Sequence, residues 1–271
     1  MGLHLRPNEH AYRAIVLAGL AAVKAFRVPL IASGEEHLPA GQVVRHGYRQ
    51  VLPGTGAVVA VTHFGYLDFV FAQLVVWRRL RAHSRFLITR KHTGSAFVRA
   101  VCELCDHVVV DRANGAPAYA EALAKLRRGE FLALFPEGGV SRSFTVRTLR
   151  TGAVRMAAAT GAPIIPVAVW GGHRMLTRGR GGIRLRDVWR TPVRVHVGAL
   201  LHVAPDDDVL AAAERLRAEL QAGIEQCIET YSETPEPGAW WMPAHLGGGA
   251  ITVEEQRAWD DRERESYRTT G

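Results

Sequence analysis

Ala57-Val-Val-Ala-Val-Thr-His-Phe-Gly-Tyr-Leu-Asp68 is the stretch that decides the fold. An apolar run without polar alternation enters a turn at Thr62, and a helical pattern begins at Phe69. An uninterrupted apolar strand suits a sheet covered on both faces. Working outward, the same short β-rich runs recur at Arg85–Thr89, His107–Val110, Phe131–Phe135, Ile164–Val169 and Val193–Gly198. Helical patterns fall between them near Phe69–Arg81, Gly94–Leu104, Pro117–Arg128 and Thr151–Thr160, and a further one near Pro205–Tyr231 follows the last strand. Strand–helix alternation predicts an α/β fold, a single domain built on a mostly parallel sheet with helices on both faces.

Of the 271 residues, 48% are apolar and 22% charged, so the chain has the material for a real core. The net charge is +8, nearly all from Arg; only Lys24, Lys91 and Lys125 are Lys. That excess favours anionic partners such as lipid head groups or phosphates. Nucleic acid is the other class it allows, and no nucleic-acid motif accompanies the charge. Three cysteines, Cys102, Cys105 and Cys227, make no disulfide framework. The apolar run Ala14–Val23, bounded by Arg13 and Lys24, is ten residues long, about half a bilayer core as a helix. It reads either as an interfacial helix or as an ordinary buried one. Composition shifts at Thr234, where Pro235-Glu-Pro-Gly238 breaks the preceding helix. Thr252 and Glu255 have capping-box spacing ahead of a charged final helix. The expected division is a membrane-associating segment over 1–34, the α/β domain over 35–233, and a tail over 234–271 packed on that domain.

Four constellations follow strands or form them. His63 and Asp68 are five apart, which on a continuous helix separates them by about 140°. They meet only if His63 sits in a turn and Asp68 in the first helical turn, and Gly65 permits that turn. Asp68 would then orient one ring nitrogen and leave the other as a base. Alternatively, Asp68 is a helix cap and His63 a loop residue. Phe135-Pro-Glu-Gly-Gly-Val-Ser-Arg142 turns sharply at the carboxyl end of its strand, the edge where open α/β sheets bind ligands. Val110-Asp-Arg112 places an Arg just after a strand, suited to a phosphate or to a surface ion pair. Ala162-Pro-Ile-Ile-Pro-Val167 is a strand that tolerates two prolines.

In this order and at these spacings, over about Val58 to Val169, the four blocks resemble the glycerolipid acyltransferase family. The family's first block, N-H-x-S-x-x-D, is matched by Thr62–Asp68, with Gly65 at the small polar position. Its second ends in an Arg like Arg112. Its third, F-P-E-G-T-R-S, is matched by Phe135–Ser141, with Gly139-Val140 where Thr-Arg is usual. The resemblance implies transfer of a fatty acyl group from acyl-CoA or acyl-carrier protein to the free hydroxyl of a lysophospholipid, most simply 1-acylglycerol-3-phosphate. Another lysolipid or glycolipid acceptor, and ester hydrolysis, are the neighbouring alternatives. It assigns His63 and Asp68 to catalysis and Arg112, Phe135, Pro136, Glu137 and Gly138 to the substrate, with Arg142 standing in for the missing Arg. No acyl-enzyme is implied, and the sequence holds no G-x-S-x-G elbow, Walker loop or metal-ligand set. No cofactor is therefore expected, and the expected place of work is the cytoplasmic face of the membrane, held peripherally or monotopically on an anionic surface.

Other basic residues are less specific. Arg142, Arg147, Arg150 and Arg155 recur at short spacings, lining a cleft or a solvated surface. Arg174, Arg178, Arg180, Arg184 and Arg186 lie in a Gly-rich stretch that meets anionic lipid, donor phosphates or only water. Trp240-Trp241 either anchors the tail at a bilayer or docks it on the protein.

Overall fold

The computed structural model describes residues 6–111 and 113–269, with side chains as far as residue 262. In chain order the elements are α1 (Glu9–Ala25), β1 (Leu30–Ser33), β2 (Val44–His46), β3 (Arg49–Val51), β4 (Ala57–Val61), α2 (Asp68–Leu80), β5 (Ser84–Thr89), α3 (Ala96–Leu104), β6 (Val108–Val110) and α4 (Ala116–Arg127). They continue with β7 (Phe131–Leu134), α5 (Gly152–Thr160), β8 (Ile164–Trp170), α6 (Gly172–Met175), α7 (Leu185–Val188), β9 (Val193–Val197), α8 (Val209–Glu229) and α9 (Val253–Thr269). Seven strands form one sheet in the order β1-β9-β8-β4-β7-β5-β6. All neighbours are parallel except β8 and β9. This is the α/β arrangement expected from the strand–helix alternation. β2 and β3 pair separately as a small antiparallel hairpin.

Period-two geometry divides the core between the two faces of the sheet. Val58 and Ala60 of β4 pack with Leu126 of α4, Met156 of α5 and Leu220 of α8. Ala57, Val59 and Val61 face the other way, onto Phe71, Val75 and Val76 of α2. With both faces covered, all five β4 residues are buried, which is why the strand reads as continuous apolar sequence. Pro163 and Pro166 are tolerated at β8. Pro166 lies inside the strand, and its carbonyl still accepts from Gly198 N–H.

β4 is the central strand, and the chain leaves it in both directions. Its right-hand neighbour is β7 and its left-hand neighbour β8. That is a topological switch point, where the loops beyond the carboxyl ends splay and leave a crevice. The β4–β7 register pairs Ala57 with Phe131 and Ala60 with Leu134. Carried three residues past the ladder, the same offset brings His63 opposite Glu137.

The two ends of the chain are both attached. α1 starts at Glu9, capped by the Asn8 side chain, which accepts from His10 and Ala11 N–H. It docks through Tyr12 and Val16, one turn apart, against Leu74 and Trp77. Leu20 and Val23 pack partly on the same face, while Ile15 and Leu17 point outward, 40% and 44% exposed. One stripe of this run is therefore buried, as an ordinary packed helix requires, and part of the other is open to solvent. The main sheet begins at Leu30, within the segment 1–34. At the other end, Trp241 and Met242 are buried in the core beside α8, and α9 lies across the loop that follows β7. Cys102, Cys105 and Cys227 are free and buried.

Candidate active site

The turn after β4 is organised by Asp68. Asp68 is the first residue of α2 and is fully buried. Its Oδ2 accepts the backbone N–H of Phe64 at 2.7 Å and of Gly65 at 2.6 Å, folding the turn back over the helix start. His63 is thereby brought beside it, with Nδ1 4.0 Å from Oδ2. That is contact without a hydrogen bond. The expectation of an Asp68 oxygen holding a ring nitrogen is met in position only, because the nearer oxygen is committed to the backbone. His63 Nδ1 and Asp68 Oδ1 are both buried without a hydrogen-bond partner. The His63 ring lies flat on Phe135, centroids 3.7 Å apart and planes 9° from parallel. Phe135, expected to meet substrate, is the shelf under the imidazole.

Gly65 is dictated by a close approach. A Cβ built on it would stand 2.8 Å from the backbone N and Cα of His173 and 2.9 Å from Leu176 O. α6 is held against the turn by Tyr66 N–H on Leu176 O at 2.9 Å and by Thr177 Oγ1 on Phe64 O at 2.5 Å. A serine here has no room, so the departure from the family's small polar residue goes with the close packing of α6.

The loop after β7 clamps His63 from the other side. Glu137 Oε1 accepts His63 N–H at 2.7 Å, and Ser141 N–H donates to His63 O at 2.8 Å. Glu137 Oε2 accepts Arg147 N–H at 3.1 Å. Both oxygens of this buried carboxylate therefore hold backbone. Gly138 adopts φ 70°, and its absent Cβ would lie 2.2 Å from Arg150 Nε. The Pro136 carbonyl accepts Arg150 N–H at 2.8 Å. Of the two arginines expected to share an anion, Arg112 lies outside the described residues. Arg142 gives its N–H to Gln256 Oε1 at 2.7 Å and sets its guanidinium 4.9 Å from the Trp259 ring of α9. Val140, at the family's Arg position, is buried.

Burial governs the charge states. It pushes the His63 pKa down to about 3, with the Gly65 backbone pulling the other way and His92 and Arg147 adding to the fall. It holds Asp68 well above the ordinary carboxylate range, against the two backbone donors that pull the other way. Glu137 is pushed up to about 8 by the same cause, again opposed by its backbone donors and by Arg147. A neutral imidazole beside a buried carboxyl group is the resting form a general base needs.

A cavity of about 1240 Å³ opens between the Glu137–Arg150 loop, α8 and the tail. Arg147 lines it and His63 does not. Sequence reasoning named Arg147 only as one member of a basic run. The signal that singles it out is Gly139, where a Cβ would stand 2.9 Å from Arg147 Nη1. Three arginines after β8 meet tryptophans of the tail, Arg174 over Trp241 at 4.3 Å, Arg180 over Trp240 at 3.6 Å and Arg178 over Trp259 at 4.2 Å, while Arg184 and Arg186 stay exposed. The first three dock the tail. Among the described residues no cluster suits a metal ion, and no helix is long and apolar enough to cross a membrane.

The 1-acyl-sn-glycerol-3-phosphate acyltransferase of Borreliella burgdorferi is 27% identical over 154 residues, 55% of this chain and 57% of that protein. The match thus spans little more than half the length of that curated relative. The crystal structure of the 1-acyl-sn-glycerophosphate (LPA) acyltransferase PlsC from Thermotoga maritima shares the fold, with a TM-score of 0.61 at 19% identity over 82% of this chain and 81% of that one. The family described as Acyltransferase matches residues 32–170, a span that runs from within β1 to the end of β8 and holds His63, Asp68 and the Glu137 loop. The chain belongs to that acyltransferase family.

Proposed function

We propose that the protein moves a fatty acyl group from acyl-CoA or acyl-carrier protein to the free hydroxyl of 1-acylglycerol-3-phosphate, giving phosphatidic acid. The observation that carries this reading is His63 itself. Its backbone is clamped on both sides, its ring is stacked on Phe135, and its Nδ1 has no hydrogen-bond partner beside the buried Asp68. Family membership and the Borreliella burgdorferi and Thermotoga maritima relatives support the reaction class.

In this mechanism Nδ1 carries the proton and faces Asp68, leaving the Nε2 lone pair for the acceptor. Nε2 takes the hydroxyl proton as the oxygen attacks the thioester carbonyl. The carbon–sulfur bond then breaks, and the departing thiolate receives that proton. Asp68 stabilises the transient imidazolium, as the carboxylate does in triads where the nucleophile is a side chain. Here the nucleophile is the substrate's hydroxyl, so no acyl-enzyme forms. General-base help contributes roughly 10²–10⁴ in rate, and fixing both substrates supplies much of the remainder.

The reaction requires access to lipid. The outward stripe of α1, with exposed Ile15 and Leu17 and with Lys24 and Arg27 at its end, suits peripheral attachment to an anionic membrane face. The test of the function is incubation of purified protein with labelled acyl-CoA and a lysolipid panel. Acylated lipid supports the proposal; free fatty acid alone identifies a hydrolase, and no turnover on any acceptor rejects acyl transfer. Liposome flotation with Ile15→Ser and Leu17→Ser tests the attachment, which these changes should weaken.

A further inference from the structure

The third family block lacks its arginine, and the tertiary structure shows another cation in the neighbourhood. Arg147 gives its N–H to the Glu137 carboxylate whose other oxygen holds His63 N–H. Base and arginine are thus joined through one side chain. The Arg147 guanidinium lies against Gly139, where a Cβ would stand 2.9 Å from Nη1 and a longer side chain would push the arginine aside. Val140, at the usual Arg position, turns into the core. The glycine at 139 thus leaves room beside the loop that this arginine takes up. Arg147 also lines the large cavity beside the loop, on the wall that Glu137 shares.

The guanidinium is occupied from within the chain. Asp260 of α9 places Oδ2 2.6 Å from Arg147 Nη2. Asp260 is held in turn by Gln256 Nε2 on its Oδ1 at 2.8 Å, and Gln256 is the residue that receives Arg142 N–H. A carboxylate on an arginine presents the same oxygen-to-guanidinium contact that a phosphate monoester makes. α9 is highly charged, and Trp259 is its one large apolar side chain described. That ring rests on Arg142 and Arg178 and is not sunk in the core. Among its described side chains, α9 is therefore held by polar and cation–ring contacts and not by an apolar face in the core.

We propose that Arg147 binds the anionic phosphate of the acceptor and that Asp260 is its internal competitor, so that α9 is a latch which the phosphate displaces. The inference rests on the acyl-transfer reading for its kinetic test but has a binding test of its own. An internal competitor lowers apparent affinity by the fraction of molecules in which Arg147 is free. Removing the competitor's charge raises that fraction.

The experiment compares wild type, Asp260→Asn, Arg147→Lys and Arg147→Ala on lysophosphatidic acid and on monoacylglycerol, its dephosphorylated analogue. Asp260→Asn should lower KM for the phosphate-bearing acceptor roughly five-fold or more and leave the analogue unchanged. Arg147→Ala should raise KM for the phosphate-bearing acceptor by roughly ten- to a hundred-fold, with Arg147→Lys between. Thermal shift with inorganic phosphate reads the same exchange without turnover. Phosphate should stabilise Asp260→Asn more than wild type and Arg147→Ala least. Equal effects of Asp260→Asn on both acceptors, together with phosphate shifts that ignore residue 147, would show that the ion pair is only a structural clamp and overturn the proposal. If no lysolipid is acylated while phosphate still discriminates among the variants, the acceptor reading fails and the anion site stands.

Discussion

The two edges of the central sheet both bury charge, and they do so in opposite ways. At the amino ends of β5, β6 and β7, buried charges are paired with opposite ones. Arg85 meets Glu9 and, at 3.1 Å, Glu130; Arg49 meets Glu130 at 2.7 Å and Asp106 at 2.9 Å; Lys125 meets Asp106 at 2.7 Å. This network fastens α1, β3 and α4 to the sheet. At the carboxyl ends of β4 and β7, Asp68 and Glu137 are just as buried but receive hydrogen bonds from backbone N–H groups only. His63 Nδ1 and Asp68 Oδ1 receive none. Paired burial is a structural device whose cost is offset by Coulomb attraction. Burial without a partner stores perturbed proton affinity, and that is what marks a site for chemistry.

The comparison predicts two kinds of damage. His63→Ala should reduce acyl transfer by roughly 10²–10⁴ with the melting temperature nearly unchanged, measured by initial rates and circular dichroism. Substantial turnover in that variant would break the contrast at its active end. Arg85→Ala at the other edge should do the reverse. Leaving Glu9 and Glu130 short of a partner should cost about 3–5 kcal/mol in urea unfolding, while the folded fraction keeps its kcat.

Glu137→Gln sharpens the distinction, because Glu137 belongs to the active edge yet binds only backbone. An amide accepts through one of its two heads, so one backbone N–H meets an NH₂ group. The expected cost is about 1–3 kcal/mol in stability, together with a fall in kcat and little change in donor KM, since His63 loses its brace. Asp68→Asn should be gentler on the fold. Its carbonyl oxygen can keep both N–H contacts, and no hydrogen-bonded ion pair is lost. The rate should still fall about ten-fold or more, because the imidazolium loses its counter-charge. A variant that matched wild type in rate would reduce Asp68 to a turn-former.

The smallest expected effect is on pH. With burial pushing the His63 pKa down to about 3, the base stays neutral as pH falls, and kcat/KM should hold its neutral-pH value to about pH 5. An unperturbed histidine would lose half its activity near pH 6.5. An acid limb near that ordinary value would mean that Asp68 supports a charged His63 in the free enzyme.

Much of this was legible in the sequence, and the reasons are local. The strands from β4 to β9 and the helices α2 to α5 announce themselves by apolar runs of the right length and by turn residues between them. β1, the β2–β3 hairpin, α6 and α7 do not; they are no shorter than β6 and β7, but they mix polar with apolar residues and lack the unbroken apolar run that marks those two strands. The proximity of His63 and Asp68 was readable from a turn running into a helix start, although Gly65 is needed there for the close approach of α6 and not for a left-handed backbone. What Asp68 does with its oxygens was not, since that depends on where the Phe64 and Gly65 amides point.

The sequence by itself determined the α/β class, because apolar periodicity and turn chemistry act between residues close in the chain, and its four blocks carry the family resemblance that implies His63 as the base. Only the tertiary structure decided who partners whom. The β4–β7 register sets Glu137 opposite His63. The close approach of α6 dictates glycine at 65. The space over Gly139 admits Arg147, and the path of the tail brings Asp260 onto it from more than a hundred residues away. A buried charge takes its partner from whatever the packing places within about 3 Å, and no spacing rule along the chain encodes that distance.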